Sequence, residues 1–531
     1  MNPSTSLFKA WVPLWLAKIA VFLVLFTTTM LLAIGTVNVN AAAGYYGVEP
    51  ADISYTMLVF YAALVSFIPI ERRLSSRIQV KHYLVLVLVL NTVLSLLSYA
   101  SADIREIYVL RFMHGFCCGA VVSVGLGLIF RNLNSERARE IGYSLFYCML
   151  LTVPPFTSLV TTELVDTINF NKVYLVVAAA PIPGFVLLYF LLSPGYLGKR
   201  KIALYQFEWH SFVFLAITLL CIAYVFVYGQ EKEWLEDAGI VRCIVIVLVL
   251  SAINVIRQRS LKRPFLHIEV FKARNFCLGA LLLVILYIAR GALNITTSYF
   301  STVVGMDPFQ LNTLMIWNMV GAVTGVFLSS RMLLALHHIR RILFIGFTVL
   351  FAFHGWMYFL FSQNADVTLF PIPLFMQGLG AGLLITPIVL FTVSAVPQQI
   401  SGSAAMTGMA FRFFGTSLST GLVNYFQMDL VKKHYDQTIQ DVTLAQTTTQ
   451  ERLNLYKSVL SARGMGSEQA GKAAYGLLNK AGTSVSFTRF AMDYYWGICA
   501  MIVATLLLVM LSPVINKTWI QAKQKFPIPS F

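Results

Sequence analysis

The chain has 531 residues, of which 58% are hydrophobic and 12% are charged, and its mean hydropathy is +0.74. No soluble core requires so large an apolar fraction, so the composition excludes an ordinary soluble domain and predicts a membrane protein. The formal net charge is +16, but the cations lie mostly in alternate loops between apolar runs, which argues against nucleic-acid binding.

Fourteen apolar runs are each long enough to cross about 30 Å of hydrocarbon, which takes about 20 helical residues. The first run is too long for a removable signal peptide and lacks the small-residue cleavage pattern, so we expect it to be retained. All seven cysteines lie inside these runs, which implies neither a disulfide framework nor a metal site. The predicted crossings are 13–36, 53–71, 83–100, 107–130, 141–161, 173–192, 210–228, 239–256, 275–298, 310–330, 342–362, 369–393, 404–425 and 490–511.

Basic residues mark every other loop, as in 72–81, 199–201, 257–274 and 331–341, whereas the intervening loops are acidic or neutral. This positive-inside bias predicts that the basic loops and both termini are cytoplasmic. The one long connection, 426–489, is then extracytoplasmic. Its stretch TTQERLNLYKSVLSA has the helical spacing of apolar residues, which predicts helices on the outer face. A lid, a docking surface and a passive excursion all remain open for this segment.

RFMHGFCCGA, residues 111–120, places an arginine inside the fourth crossing. Gly115 and Gly119 follow Arg111 at helical spacing and form a small-residue face that lets a neighbouring helix approach closely. A charge at this depth usually faces an interior cavity or a partner. Arg111 is therefore either a functional group or a cation bound to a backbone carbonyl for packing.

The RxxxGxxxG pattern of residues 111–119, the basic loop 72–81 and the glycine-rich segment 374–415 together resemble the major facilitator superfamily, in particular its fourteen-helix drug:proton antiporter branch (EmrB/QacA-like). The resemblance implies two six-helix halves around a central cavity, two additional helices, and alternating access. The implied divisions are 1–200 for the N-terminal bundle, 201–260 for the additional helices, and 261–531 for the C-terminal bundle with extracytoplasmic loop 426–489.

Several positions depart from the pattern that the resemblance implies. The loop after the second crossing aligns with the superfamily's cytoplasmic gating loop, but Ser76 stands where the family has an aspartate. Gly35 likewise stands where the branch has an aspartate at the end of its first helix. These losses weaken the case for proton coupling. The positions that match are Leu74, Arg77 and Lys81 in the loop, and Pro154 or Pro155 from the glycine- and proline-rich motif of the fifth crossing.

Charged and titratable residues inside the crossings are the remaining candidates. His114 and His354 could titrate near physiological pH, although a satisfied buried histidine is the simpler interpretation. Arg290 lies mid-helix in the predicted crossing 275–298, and it would suit an anionic substrate or bond to carbonyls instead. The substrate or gating candidates are Arg111, His114, Gly115, Arg290, Asn294, Trp317, His354 and Arg412.

The sequence therefore predicts a transporter in the cytoplasmic (inner) membrane that exports lipophilic or amphipathic small molecules, with possible proton coupling. The alternatives are a carrier without ordinary proton antiport, such as a facilitator or a lipid or metabolite transporter, and a transport-dead sensor or scaffold. An enzyme is not expected, because no motif for catalysis is present, and no cofactor is implied. The expected partners are membrane lipids and a small-molecule substrate, and the resemblance adds a periplasmic adaptor and an outer-membrane channel.

Overall fold

The computed structural model describes residues 7–132, 138–196, 208–261, 264–335, 338–441 and 446–512. Within these ranges the chain is helical and forms no strand beyond an isolated bridge between Phe8 and Leu192. The first helices are α1 (Leu14–Ala33), α2 (Val39–Tyr46), α3 (Pro50–Ser75), α4 (Val80–Ala100), α5 (Ile104–Asn132), α6 (Ala138–Thr167), α7 (Val173–Ala179) and α8 (Pro181–Leu191). They are followed by α9 (Trp209–Tyr228), α10 (Ala238–Ser260), α11 (Arg274–Gly291), α12 (Leu293–Tyr299), α13 (Pro308–Leu334), α14 (Ile339–Leu360), α15 (Pro371–Ser394), α16 (Ser401–Asp441), α17 (Thr447–Ala462) and α18 (Ser467–Leu511).

The prediction of an all-α polytopic membrane protein is confirmed. Thirteen stretches of the described residues are helical, long and apolar enough to span a membrane, and they coincide with thirteen predicted crossings. The other crossing, 404–425, lies within α16, whose serines, threonines, glycines and Arg412 make it less apolar. Because α16 packs against α3, α9, α11, α15 and α18, it contacts protein on many sides, and such a helix tolerates polar residues.

The predicted bounds of the connection, 426–489, were wrong, because most of these residues belong to the two flanking helices, α16 and α18. The helix α16 has 41 residues and α18 has 45, which at 1.5 Å per residue makes them about 60 and 68 Å long, roughly twice the hydrocarbon thickness. Both helices therefore project beyond the membrane on one side, and α17 packs against α18 there. We call this the extension side, and its helix α17 is the one that the spacing in TTQERLNLYKSVLSA predicts.

Two predicted crossings are interrupted. The crossing 173–192 divides at Ala180 into α7 and α8, just before Pro181. The crossing 275–298 divides at Ala292 into α11 and α12, and a π-helical turn, Phe300–Val304, follows. The expectation that Arg290 lies mid-helix is therefore wrong, because α11 ends one residue later, at Gly291.

The helices pack as two groups joined by a smaller pair. In the first group α5 packs against α1, α3 and α4. In the second group α15 packs against α11, α13 and α14, and α18 packs against α14 and α16. The helices α9 and α10 pack against each other, while α9 also contacts α3 and α16. The first and second groups meet directly where α6 packs against α13 and α15, and where α3 packs against α16.

Candidate functional site

Arg111 stabilises the carboxyl end of α1. Its side chain is fully buried in α5, and Nη1 donates to the carbonyl oxygen of Leu31 at 2.7 Å. Leu31 lies in the last turn of α1, where carbonyl groups lack intrahelical partners and the helix dipole favours a cation. The guanidinium also lies 4.8 Å from the ring centroid of Phe60 on α3. Arg111 thus joins three helices of the first group.

The other candidates on α5, His114 and Gly115, also make their contacts inside the first group of helices. His114 is fully buried, and its Nε2 lies 3.2 Å from the Oγ of Ser95 on α4. A Cβ at Gly115 would lie 2.4 Å from the carbonyl oxygen of Phe60, so the backbones of α3 and α5 are in direct contact there. His114 and Gly115 therefore lie away from the interface between the two groups.

The predicted gating loop packs closely on the side opposite the extension. Ser76, which stands where the family has an aspartate, is 4% exposed, and its Oγ donates to the carbonyl of Arg73 at 2.8 Å. The Nζ of Lys81 lies 3.7 Å from the ring centroid of Tyr189 on α8. Sequence reasoning missed Glu71, a fully buried acid in the last turns of α3 that lies near Tyr83 on α4. Leu74 and Arg77 are partly buried in the same loop.

Three side chains bind backbone carbonyls at the break between α11 and α12. The Nε2 of His354 on α14 lies 3.1 Å from the carbonyl oxygen of Ala289. The hydroxyl of Tyr495 on α18 donates to the carbonyl of Ala292 at 3.1 Å, and Ser419 on α16 donates to that of Ile288 at 3.5 Å. An interrupted helix in hydrocarbon needs such donors, because its freed carbonyls have no water to bind. His354 is fully buried, and its Nδ1 also lies 2.7 Å from the carbonyl oxygen of Leu350, so a neutral ring donates to only one of the two carbonyls.

The first and second groups share a cluster of tyrosines and arginines, which we call the central cluster: Tyr61, Tyr147, Tyr287, Arg290 and Arg412. Arg412 on α16 is 5% exposed, and its Nη1 donates to the hydroxyl of Tyr147 on α6 at 2.7 Å. Tyr61 on α3 and Tyr287 on α11 lie close enough to both arginines for electrostatic interaction. The cluster therefore contains side chains from both groups of helices.

A small cavity adjoins the central cluster. It is lined by Arg412 and by residues of α11, α15 and α16 that include Leu283, Thr392 and Gly408. No hydrogen-bond partner for the Nε of Arg412 is found among the described residues, although that atom is buried. The cavity volume is about 10 Å³, which is room for a single water molecule, so the Nε of Arg412 lies beside a small void and not in a ligand-sized pocket.

Of the sequence-predicted candidates, Arg290 and Arg412 both lie near Tyr61 and Tyr287, and the others lie elsewhere. Asn294 on α12 and Trp317 on α13 are exposed, the latter to 48%. Pro154 and Pro155 lie within the continuous helix α6. Tyr61 and Tyr147 were missed by sequence reasoning. The only sequence signal for them is a tyrosine in the middle of an apolar run. That signal does not identify a functional residue, because most such tyrosines pack in the core.

A second polar contact joins the groups near the extension side. The Oγ of Ser158 donates to the Oδ1 of Asn312 at 2.7 Å, and the Nδ2 of Asn312 donates to the Oγ1 of Thr162 at 2.6 Å. The Nδ2 of Asn38, in the turn after α1, donates to the Oγ1 of Thr161 at 3.1 Å. These uncharged side chains connect α6 with the start of α13 and with the turn after α1.

A bundle of membrane-spanning helices with a buried polar contact between two groups of helices is an arrangement that multi-pass membrane transporters share. The family model described as Major Facilitator Superfamily matches residues 19–420. The chain therefore belongs to the major facilitator superfamily, as the motifs predict.

Relatives named for drug export match most of the chain. The chain is 22% identical over 406 residues to the colistin resistance protein EmrB of Acinetobacter baumannii, a match that covers 76% of this chain and 78% of the relative. It is 20% identical over 420 residues to the probable multidrug resistance protein EmrY of Escherichia coli, covering 77% and 79%. These matches agree with the EmrB-like resemblance of the motifs.

Solved transporters share the fold at low sequence identity. A POT family transporter in complex with 5-aminolevulinic acid superposes with a TM-score of 0.59 at 12% identity, covering 95% of this chain and 96% of that chain. A bacterial homologue of the human lysosomal transporter Spinster, in an inward-facing and unoccupied conformation, superposes with a TM-score of 0.51 at 11% identity, covering 97% and 99%. At these identities the superpositions establish the fold alone.

Proposed function

We propose that this transporter exports lipophilic or amphipathic small molecules by alternating access, with the substrate bound at the central cluster. The observation that carries the proposal is the position of Arg412 and Tyr147, which lie on different groups of helices and meet at a buried hydrogen bond. Rocking of the groups about such a site would expose it to each side in turn. The drug-export names of the relatives support the choice of substrate.

Purified protein in liposomes is expected to move lipophilic dyes, and liposomes without protein supply the background rate. The panel should include neutral, acidic and cationic dyes, each tested under a pH gradient and under a substrate gradient. Movement of at least one dye above background supports the proposal. If none moves under either gradient, the chain is not a carrier of this kind, and the sensor or scaffold alternative takes its place.

Two observations favour a carrier without ordinary proton antiport as the second candidate. A Cβ at Gly35 would lie 2.6 Å from the Cβ of Met57, so the aspartate of the family pattern does not fit this packing. Ser76 is buried and bound to the backbone. In the same liposomes, equal efflux rates with and without an imposed pH gradient would support this candidate, whereas acceleration by an inward proton gradient would support antiport.

The packing supports division of the chain into an N-terminal bundle (1–200), two additional helices (201–260) and a C-terminal bundle (261–531). The additional pair is anchored to the first bundle by Asp52 on α3, whose Oδ1 accepts from the hydroxyls of Tyr228 at 2.5 Å and of Tyr108 at 3.2 Å. The distribution of basic loops supports cytoplasmic termini in an inner membrane, which would put the extension side outside the cytoplasm.

The extension side is our candidate surface for a periplasmic adaptor that leads to an outer-membrane channel. Leu455 and Val459 on α17 are 59% and 45% exposed, and exposed apolar side chains of this kind suit protein contacts. Replacing both by serine is expected to abolish co-purification of such an adaptor, co-expressed with this chain, while transport in liposomes persists. Lys472→Ser, on the exposed side of α18, is the control. Unchanged co-purification of the double variant would refute this docking surface.

A further inference from the structure

We propose that the contact between Ser158, Thr162 and Asn312 is the outer gate of this transporter, and that the gate opens without the titration of any group. The inference rests on the proposed transport function and adds how the path is closed on the extension side. Tyr147 of the central cluster and Ser158 lie on the same helix, α6, eleven residues apart, which is about 16 Å along its axis. The gate therefore lies between the central cluster and the extension side.

Asn312, in the first turns of α13, joins the two groups of helices. Its side chain is 3% exposed, its Oδ1 accepts from Ser158 at 2.7 Å, and its Nδ2 donates to Thr162 at 2.6 Å. Because all three side chains are uncharged, their polar atoms bind one another when the groups are together and bind water when the groups separate. Such a contact can therefore break and form again in each transport cycle.

Asn38 fixes the part of the gate that belongs to the first group. It lies in the turn between α1 and α2 with a φ of 55°, a left-handed conformation that asparagine adopts more readily than most residues. Its Nδ2 donates at 3.1 Å to Thr161, which is fully buried and precedes Thr162 on α6. Since α1 packs against α6, separation of the two groups breaks the bonds of Asn312 and keeps that of Asn38.

Two prolines allow the outer part of α6 to move while Tyr147 stays in place. Pro154 and Pro155 lie inside α6 between Tyr147 and Ser158. Proline has no N–H group, so the helix lacks two main-chain hydrogen bonds there and bends more easily.

A second contact between the groups on the extension side is also uncharged. The Nδ2 of Asn424 on α16 donates at 3.2 Å to the carbonyl of Val227, in the last turn of α9. The end of α9 is bound to the first group, because the hydroxyl of Tyr228 donates to Asp52 on α3. Amide side chains thus connect the second group to both α6 and α9.

The charged residues near the gate on α6 and α13 face solvent. Glu163 and Asp166 on α6 are exposed. Asp307, just before α13, is also exposed, and its Oδ1 caps the helix by accepting from the N–H of Gln310 at 2.8 Å.

The elements packed against α6 and α13 supply no charged partner to the gate among the described residues. The helices α7 and α15 contain no charged side chain. The charged or titratable residues of the other elements are exposed, distant along their helix or bound elsewhere: Lys18 near the start of α1, Arg105 and Glu106 at the exposed start of α5, Arg111 bound to Leu31, Lys172 bound to Tyr99, and His354 beside the carbonyls of Ala289 and Leu350.

Spin labels at Thr167 and Phe309, which are exposed near the outer ends of α6 and α13, report the state of the gate in the full-length protein in liposomes. Asn312→Ala is expected to raise the ratio of open to closed interlabel distances about fivefold or more, because it removes both bonds across the interface. Ser158→Ala, which removes one of these bonds, replaces Asn312→Ala if that variant does not fold.

Thr313→Ala is the matched control for Asn312→Ala. Thr313 is exposed, and its hydroxyl donates to the carbonyl of Phe309 within α13, so this variant should keep the distances of the unchanged protein. If Asn312→Ala and Thr313→Ala give the same ratio of open to closed distances, the contact is not a gate and the inference is wrong.

The pH dependence of the same distances tests whether opening needs a titratable group. The unchanged protein should give one ratio of open to closed distances at about pH 5 and at about pH 8. Asn312→Asp places a carboxyl group of the same shape in the gate, and its charged form is costly to bury, so this variant should open more at the higher pH. A response to pH in the unchanged protein, or none in Asn312→Asp, would overturn an uncharged gate.

The distances are measured without substrate and without a gradient, so they do not depend on whether the chain transports a given dye. If the distances respond as expected and no dye moves in the transport assay, the gate stands and the proposed export function is refuted. If dyes move and the distances do not respond to Asn312→Ala, the export proposal stands and this inference is refuted.

Discussion

Replacing Arg111 by leucine is expected to lower the free energy of unfolding by about 1.5–3 kcal/mol, the usual contribution of a hydrogen bond to a charged group. The leucine cannot donate to the Leu31 carbonyl, so the last turn of α1 loses its partner inside the bundle. It also removes the cation from the face of the Phe60 ring. Thermal unfolding of the purified protein in detergent, followed by tryptophan fluorescence, measures the loss.

Arg105→Leu is the matched control for Arg111→Leu, because it makes the same change in the same helix. The side chain of Arg105 is exposed near the start of α5, and exposed substitutions of this kind usually change stability by less than about 0.5 kcal/mol. Arg111→Lys should recover part of the stability, since the ammonium keeps the charge near the helix end. Equal melting temperatures for Arg111→Leu and Arg105→Leu would show that the bond to Leu31 contributes nothing.

Gly378→Ala is expected to force two packed helices apart by the addition of a single methyl group. A Cβ at this position would lie 2.0 Å from the carbonyl oxygen of Asn318 and 2.7 Å from the amide nitrogen of Ala322. Both atoms belong to the backbone of α13, so the clash is relieved only if α13 and α15 separate. Overpacking usually costs about 1–3 kcal/mol and more where the backbone must move, and we expect the upper end or beyond.

The result of Gly378→Ala should be a strong loss of folded, monodisperse protein and of transport, measured by size exclusion and in liposomes. Gly355→Ala supplies the control, because a Cβ at Gly355 on α14 would meet nothing within 4 Å. Helix propensity alone would make both substitutions favourable by about 1 kcal/mol. A Gly378→Ala protein as stable as Gly355→Ala would contradict the direct backbone contact between α13 and α15.

The fold was predictable because apolar length and positive charge are properties of local sequence. Thirteen predicted crossings coincide with helices that can span a membrane, and the fourteenth, 404–425, is helical inside α16. The length of α16 and α18 beyond the membrane was not predictable in this way. A helix can continue through polar residues without any change in backbone geometry. The hydropathy of the sequence therefore indicates where the chain leaves the hydrocarbon, but it does not indicate where the helix ends.

The central cluster was only partly predictable. Arg290 and Arg412 were found because a cation in hydrocarbon is rare and therefore informative. The convergence of Tyr61, Tyr147 and Tyr287 on them depends on how α3, α6 and α11 meet, which no local pattern encodes. The same reason explains why Arg111 and His354, which are equally rare by sequence, proved to bind backbone carbonyls within their own groups of helices.

The continuous helix α16 links the central cluster mechanically to the extension side. Arg412 and His434 lie on this one helix, twenty-two residues apart, which is about 33 Å along its axis. Its far part is tied to α18, where the Nε2 of His434 lies 2.8 Å from the Oδ2 of Asp493. A tilt of α16 by about 5° at Arg412 would therefore displace the helix axis at His434 by about 3 Å. Spin labels on the outer turns of α16 and on α10 would report such a displacement as a change in interlabel distance when ligand is added.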